Sequence, residues 1–100
     1  MKAAHMEKQS IPKTIPLLIM KEKELYVAFS PALELSTCGK TVQEARQNFT
    51  EALGLFFEEC LRMRTLDQVL ESCGWVKDRD KGWVPPTFIG EENITLPVSI

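Results

Sequence analysis

The sequence predicts an α+β domain in which a three-stranded antiparallel sheet packs on one long helix, followed by a short helix and a β C-terminal extension. Two observations lead to this prediction. Residues 15–37 contain short runs of aliphatic and aromatic residues that are typical of strands. Residues 39–61 instead place apolar side chains at helical spacing. Strands that precede one long helix favour two layers, because the helix covers one face of the sheet.

Three short segments have the composition of strands. The first covers residues 15–20 and is followed by a charged turn over residues 21–24. The second covers residues 25–29, and we expect it to pair with the first as an antiparallel hairpin. Pro31 interrupts the ladder, after which residues 33–37 alternate apolar with polar side chains, as a half-buried third strand does.

The long helix is predicted to begin at Thr41 and to end near Arg64. Thr41 and Glu44 have the spacing of a capping box, in which the hydroxyl caps the helix and the carboxylate accepts from the Thr41 amide. The apolar stripe of this helix consists of Val42, Ala45, Phe49, Ala52, Leu53, Phe56, Cys60 and Met63. Leu55, Phe57 and Leu61 lie outside the stripe, so we expect later chain or a second subunit to cover the C-terminal turns.

The chain divides into three predicted parts: a disordered extension or tag remnant over residues 1–13, the β-β-β-α core over residues 14–64, and a C-terminal extension over residues 65–100. The extension is expected to pack on the core or on a partner subunit.

The C-terminal extension is predicted to begin with a short helix that Gly74 ends. Trp75 and Trp83 flank a polar turn over residues 78–81, which predicts a small hairpin anchored by two indole rings. Residues 93–100 are predicted to form an extended segment that joins a sheet edge.

Composition argues against several classes of function. Twelve basic side chains against 14 acidic ones give a net charge of -2, which disfavours a protein that mainly neutralises nucleic-acid phosphates. His5 is the single histidine, so we predict no catalytic triad, no metal site, no cofactor and no enzymatic activity. The three cysteines lack C-x-x-C spacing, which favours reduced thiols and a cytoplasmic location. We predict no membrane span and no signal peptide.

The segment YVAFSPALELSTCGKTVQEARQNFTEALGLFFEE, residues 26–59, resembles the HicB antitoxin family. The residues that carry the resemblance are Tyr26, Ala28, Pro31, Leu33, Gly39, Thr41, Glu44, Ala45, Asn48, Glu51, Ala52 and Leu53. The resemblance implies a truncated ribonuclease H-like fold without the nuclease's acids. It also implies a binding module that neutralises a small HicA-type mRNA-cleaving toxin by masking its active surface.

Full-length members of that family add a C-terminal DNA-binding motif. No complete ribbon-helix-helix or helix-turn-helix follows residue 64 here, so DNA binding is not carried over to this chain. Family members often assemble as dimers or tetramers, and we expect a homodimer or tetramer. The alternative is a compact monomer in which the extension covers the chain's own core.

Six residues are candidates for contact with a partner: Glu51, Glu58, Leu55, Phe57, Trp75 and Trp83. Glu44, Glu51 and Glu58 recur every seven residues and would form an acidic row that mimics phosphates towards a basic toxin. A merely solvated helix face is the alternative interpretation. For the tryptophans, packing in the core or in a dimer is favoured over stacking on nucleic-acid bases.

A second hypothesis belongs to a different class of function. The chain would be an orphan HicB-like homo-oligomeric domain that has no toxin and has a regulatory or nucleic-acid-associated role. A neighbouring reading frame for a short basic protein separates the two hypotheses, because an antitoxin requires one.

Overall fold

A computed structural model of the protein describes residues 14–99. The elements are β1 (Leu18–Glu22), β2 (Leu25–Ser30), β3 (Leu35–Gly39), α1 (Val42–Met63), α2 (Leu66–Ser72), β4 (Val76–Asp78) and β5 (Gly82–Val84). The three-stranded antiparallel sheet, the long helix and the short helix that follows confirm the predicted fold class. The predicted extension over residues 1–13 lies outside the described residues.

The first hairpin is tighter than predicted. Lys21 and Glu22 continue β1 opposite Tyr26 and Leu25, so the turn consists of two residues only. The first of them, Lys23, has φ 57°, the left-handed conformation that such two-residue turns require. The predicted bounds of residues 15–20 are therefore wrong for β1, and the charged turn is shorter than residues 21–24.

The third strand begins later than predicted. The Glu34 amide donates to the Ser30 carbonyl over 2.8 Å, which closes a turn between β2 and β3. The ladder with β2 starts at Leu35, opposite Ser30, and runs to Gly39. Leu33, predicted as a strand residue, is instead buried within this turn. The predicted bounds of residues 33–37 are wrong because the turn after Pro31 takes up two more residues.

α1 covers one face of the sheet, as predicted. Ala28 of β2 is buried against Ala45 and Phe49 of α1, and these three residues form the first core cluster. Ile15, Leu17, Tyr26, Leu35 and Leu53 pack around this cluster. Val42 and Met63, at the two ends of the predicted apolar stripe, are exposed.

The C-terminal extension builds a second core cluster. Leu66 and Leu70 of α2 pack with Trp75 and Trp83, and with Cys60 of α1. The Trp75 indole Nε1 donates to the Ala32 carbonyl over 2.7 Å, which ties the extension to the turn after β2. The predicted hairpin is confirmed, because β4 and β5 pair antiparallel across the turn.

Residues 85–99, which we call the tail, contain no helix or strand, and all of them after the half-buried Pro85 are exposed. The extended segment predicted over residues 93–100 is not paired with a sheet edge in its described part, residues 93–99. Pro97 has no amide hydrogen for a ladder, which disfavours strand pairing at this point of the tail. The radius of gyration is 16.5 Å, against roughly 13 Å for a compact domain of this length. The larger value is in keeping with a tail that leaves the core.

Candidate partner-binding surface

Several of the residues that carry the family resemblance have structural roles at the junction of β3 and α1. Gly39 is buried, and a Cβ there would lie 2.5 Å from the Ala45 backbone nitrogen, so only glycine fits. The Asn48 amide Nδ2 donates to the Cys38 carbonyl over 2.9 Å. Ala45 is fully buried against the sheet. Gly39, Ala45 and Asn48 therefore set how the helix meets the sheet, and a partner surface has to be sought at other residues.

The start of α1 is fixed by its predicted cap. The Glu44 amide donates to the Thr41 hydroxyl over 3.0 Å, which confirms Thr41 as the N-cap residue. The second half of the predicted capping box differs. The Glu44 carboxylate accepts from the Lys40 amide, one residue before the cap, and not from the Thr41 amide. Glu44 is thus committed to the helix start and is not an independent member of an acidic row.

Three of the predicted partner residues lie together on the side of α1 that points away from the sheet. Glu51, Leu55 and Glu58 are exposed, and we call them the acidic helix face. At 100° per residue they lie within about 60° of one another, because positions three, four and seven residues apart share one face of a helix. Leu55 is 66% exposed, which is high for a leucine in the middle of a long helix.

The charges of the acidic helix face are not neutralised locally. Arg62, one turn beyond Glu58, forms an ion pair with Glu59 instead. Within residues 14–99, neither Glu51 nor Glu58 has an ion-pair partner. Gly54 lies beside them, and a Cβ at this position would have no other atom within 4 Å, so the surface there is open. A leucine flanked by two unpaired carboxylates is thus available to a partner.

The other three predicted partner residues are not on this surface. Phe57 is half-buried, packs on the second core cluster and meets Phe56 edge-on at 5.3 Å between ring centroids. Trp75 and Trp83 are each 3% exposed within a single chain. Within one chain the C-terminal extension buries both indole rings and leaves Phe57 half-buried, and their contact with a partner stays a prediction. They hold the second half of α1 in place.

Sequence reasoning missed a second exposed apolar surface, on the side of the sheet opposite α1. Ala28 faces the helix, so its neighbours Val27 and Phe29 face away. Strand register places further side chains beside them, and we call the whole set the open sheet face: Leu18, Met20, Leu25, Val27, Phe29 and Cys38. Leu18, Met20 and Leu25 are exposed by 38, 46 and 41%.

A signal for the open sheet face was present in the sequence. Residues 25–29 are apolar without interruption, whereas a strand with one solvated face alternates apolar and polar side chains. An uninterrupted apolar run on the central strand indicates that both faces of the sheet are covered. In this chain α1 covers only one of them.

Among residues 14–99 no group of three or more His, Cys, Asp or Glu side chains could hold a metal ion, and His5 lies outside that range. Burial, and to a lesser extent the nearby Glu34 carboxylate, raises the pKa of the Cys73 thiol, which keeps it protonated and a poor nucleophile. Of the helices described, none has the length and apolarity needed to cross a bilayer.

Comparison of the chain with protein-family models, with curated proteins and with solved structures finds no match.

Proposed function

We propose that this protein is a HicB-like antitoxin, a non-enzymatic cytoplasmic binding module that neutralises a small HicA-type mRNA-cleaving toxin by covering its active surface. The observation that carries the proposal is the acidic helix face, where exposed Leu55 lies between Glu51 and Glu58, which have no ion-pair partner within residues 14–99. The resemblance of residues 26–59 to the HicB family supports the same function.

The chemistry of the acidic helix face suits a basic partner. A nuclease that binds RNA presents cationic side chains to phosphates, and Glu51 and Glu58 offer two carboxylates about 10.5 Å apart along the helix axis. Complementary charge accelerates encounter and selects the partner, whereas a buried apolar anchor supplies much of the affinity. Leu55 is placed to be that anchor.

The acidic helix face is also rigid before binding. Thr41 fixes the first turn of α1, and Cys60, near its last turn, is buried in the second core cluster. A helix held at both ends loses little conformational entropy when a partner docks on it, so more of the contact free energy contributes to affinity.

Binding to the toxin encoded by a neighbouring reading frame tests the proposal. We expect the double charge reversal Glu51→Lys with Glu58→Lys to slow association and to reduce its dependence on salt. The matched control is Glu71→Lys with Glu92→Lys, which changes the net charge equally at exposed positions away from α1. Equal slowing by both pairs would show that net charge alone acts and would remove the acidic helix face as the binding surface.

The second candidate function is an orphan homo-oligomeric domain with a regulatory or nucleic-acid-associated role. The open sheet face favours it, because an apolar sheet surface left uncovered in one chain is typical of a protein that self-associates. Self-association also forms part of the antitoxin proposal, in which the chain acts as a homodimer or tetramer. The absence of a neighbouring gene for a short basic protein would favour the orphan over the antitoxin.

A further inference from the structure

We propose that the open sheet face of one copy of this chain is covered by the tail of a second copy, through residues 93–98, and that the exchange is reciprocal. The inference rests on the homo-oligomeric state in the proposed function and names the surfaces that produce it. Every chain has both an open sheet face and a tail. In a dimer with a two-fold axis, the tail of each copy can therefore cover the open sheet face of the other.

The open sheet face has the properties of a covered surface. Its central strand contributes Val27 and Phe29, and Leu18 and Met20 of β1 lie directly beside them in the ladder. Cys38 of β3 completes the row opposite Val27. No charged side chain is a member of this set, although the end of β1 carries Glu22 opposite Leu25. Surfaces of this composition on soluble proteins mark interaction sites.

The tail has the complementary pattern. Ile94, Leu96 and Val98 alternate with Thr95, Pro97 and Ser99, a spacing that puts three aliphatic side chains on one side of a segment when it is extended. The free tail bends at Pro97 and Val98, so docking on a second copy would straighten it. They are exposed by 81, 66 and 64%, so no part of the described chain covers them. Pro97 weakens hydrogen bonding within a sheet, but it does not oppose packing of an extended segment across a sheet surface.

The tail passes beside β1 before its last residues, and those last residues are not covered by the chain's own sheet. Residues Phe88, Gly90 and Glu91 lie across from Leu18 and Met20, on the other side of a cleft beside β1. Beyond this cleft every residue up to 99 is exposed. When fully extended, residues 93–98 would span about 20 Å at 3.3 Å per residue, which is enough to cross the open sheet face of a neighbouring copy.

The area requirement favours exchange of tails over simple contact between two sheets. Three strands at about 4.8 Å spacing and five residues of about 3.3 Å give a flat outline of roughly 240 Å². The accessible surface of such a face is larger than its outline, but a face of three short strands is still small beside the ~800 Å² per partner of a stable interface. A tail docked on each open sheet face adds three aliphatic side chains per copy to the surface that the dimer buries. The tails thus supply contact area that the sheets lack.

The test is sedimentation of the full chain and of two single variants over a range of concentrations. We expect the full chain to show twice its monomer mass of 11.4 kDa. Leu96→Asp should raise the dissociation constant of the dimer at least about tenfold, because a carboxylate replaces a leucine that the proposed interface buries. Leu55→Asp is the matched control on the opposite side of the molecule and should leave self-association unchanged.

Alkylation of Cys38 gives a second readout that depends on the location of the interface. The thiol is exposed in one chain, so association over the open sheet face should slow its reaction with iodoacetamide at high protein concentration. Leu96→Asp should restore the monomer rate. A dimer that survives Leu96→Asp with Cys38 still reactive would overturn the tail exchange while leaving the homo-oligomer intact.

Other outcomes separate this inference from the antitoxin function. A full chain that is monomeric over the whole range overturns both the tail exchange and the homo-oligomer. If that monomer still binds the toxin, the antitoxin function stands without self-association. If Leu55→Asp and Leu96→Asp both abolish self-association, the contact involves the acidic helix face, and the tail exchange is wrong.

Discussion

At the scale of single residues, the junction between β3 and α1 shows how a short motif is used. Gly39 permits a backbone approach that no side chain allows, Thr41 caps the helix, and Asn48 donates back to the strand. Each of these roles follows from geometry and none requires a partner. A resemblance carried by such residues therefore indicates a fold more strongly than it indicates a binding surface.

Replacing the cap residue tests the junction. Thr41→Ala should lower the free energy of unfolding by about 1 kcal/mol, because the Glu44 amide loses its acceptor. For a domain of this size the melting temperature should fall by about 4 to 8 °C. Thr41→Ser keeps the hydroxyl and is the matched control. A melting temperature that is the same in Thr41→Ala and wild type would mean that the cap contributes nothing.

Trp75 offers a second test at this scale. Trp75→Phe keeps an aromatic ring but leaves the buried Ala32 carbonyl without its donor, which should cost about 1 to 3 kcal/mol. Trp83 is equally buried and donates no hydrogen bond to a described residue. Trp83→Phe therefore removes a similar volume and weakens only the contact between the ring and Lys77 Nζ, 5.5 Å from its centroid. Thermal unfolding should show the larger loss for Trp75→Phe. Equal losses would assign the effect to packing.

At the scale of elements, the helices and the hairpin were predictable and the strand ends were not. Thr41 and Gly74 carry recognisable helix signals, and the tryptophans mark the hairpin. The turns after β1 and within residues 31–34 instead use Lys23 and Glu34 in the left-handed conformation. Neither is glycine or asparagine, so the sequence indicated that the chain turns near these points but not which residues form each turn.

The turn of the second hairpin depends on one carboxylate. Asp78 accepts from the Asp80 and Lys81 amides over 2.7 and 2.9 Å. Hydrogen bonds from the Lys81 and Asp80 amides lower the pKa of Asp78. A lowered pKa in the folded state stabilises the fold above the unfolded pKa of about 3.9, and this contribution is lost as pH falls through the folded value.

We therefore expect the wild type to lose stability below about pH 4 more steeply than Asp78→Asn. Asparagine keeps a side-chain oxygen for the two amides but does not titrate in this range. Melting temperatures of the two proteins between pH 6 and pH 3, followed by tryptophan fluorescence, make the comparison. If the melting temperatures of the two proteins fell in parallel as pH decreased, the titration of Asp78 would not contribute to the pH dependence of stability.

At the scale of the whole molecule, the sequence could not show which apolar surfaces the chain covers by itself. The sequence made Leu55, Trp75 and Trp83 equal candidates for contact with a partner. In the structure Trp75 and Trp83 are buried and Leu55 is exposed. The difference arises because the C-terminal extension folds back on α1, a long-range contact that periodicity does not encode. The open sheet face was missed for a related reason, since its side chains come together only through strand register.

The measurement that tests the central claim most directly is inhibition of RNA cleavage. Purified chain is titrated into a cleavage reaction of the toxin from the neighbouring reading frame. We predict that cleavage falls to zero at a fixed stoichiometric ratio, and that Glu51→Lys with Glu58→Lys requires more protein than Glu71→Lys with Glu92→Lys. Cleavage that continues at full rate with the wild-type chain in large excess would contradict the antitoxin function.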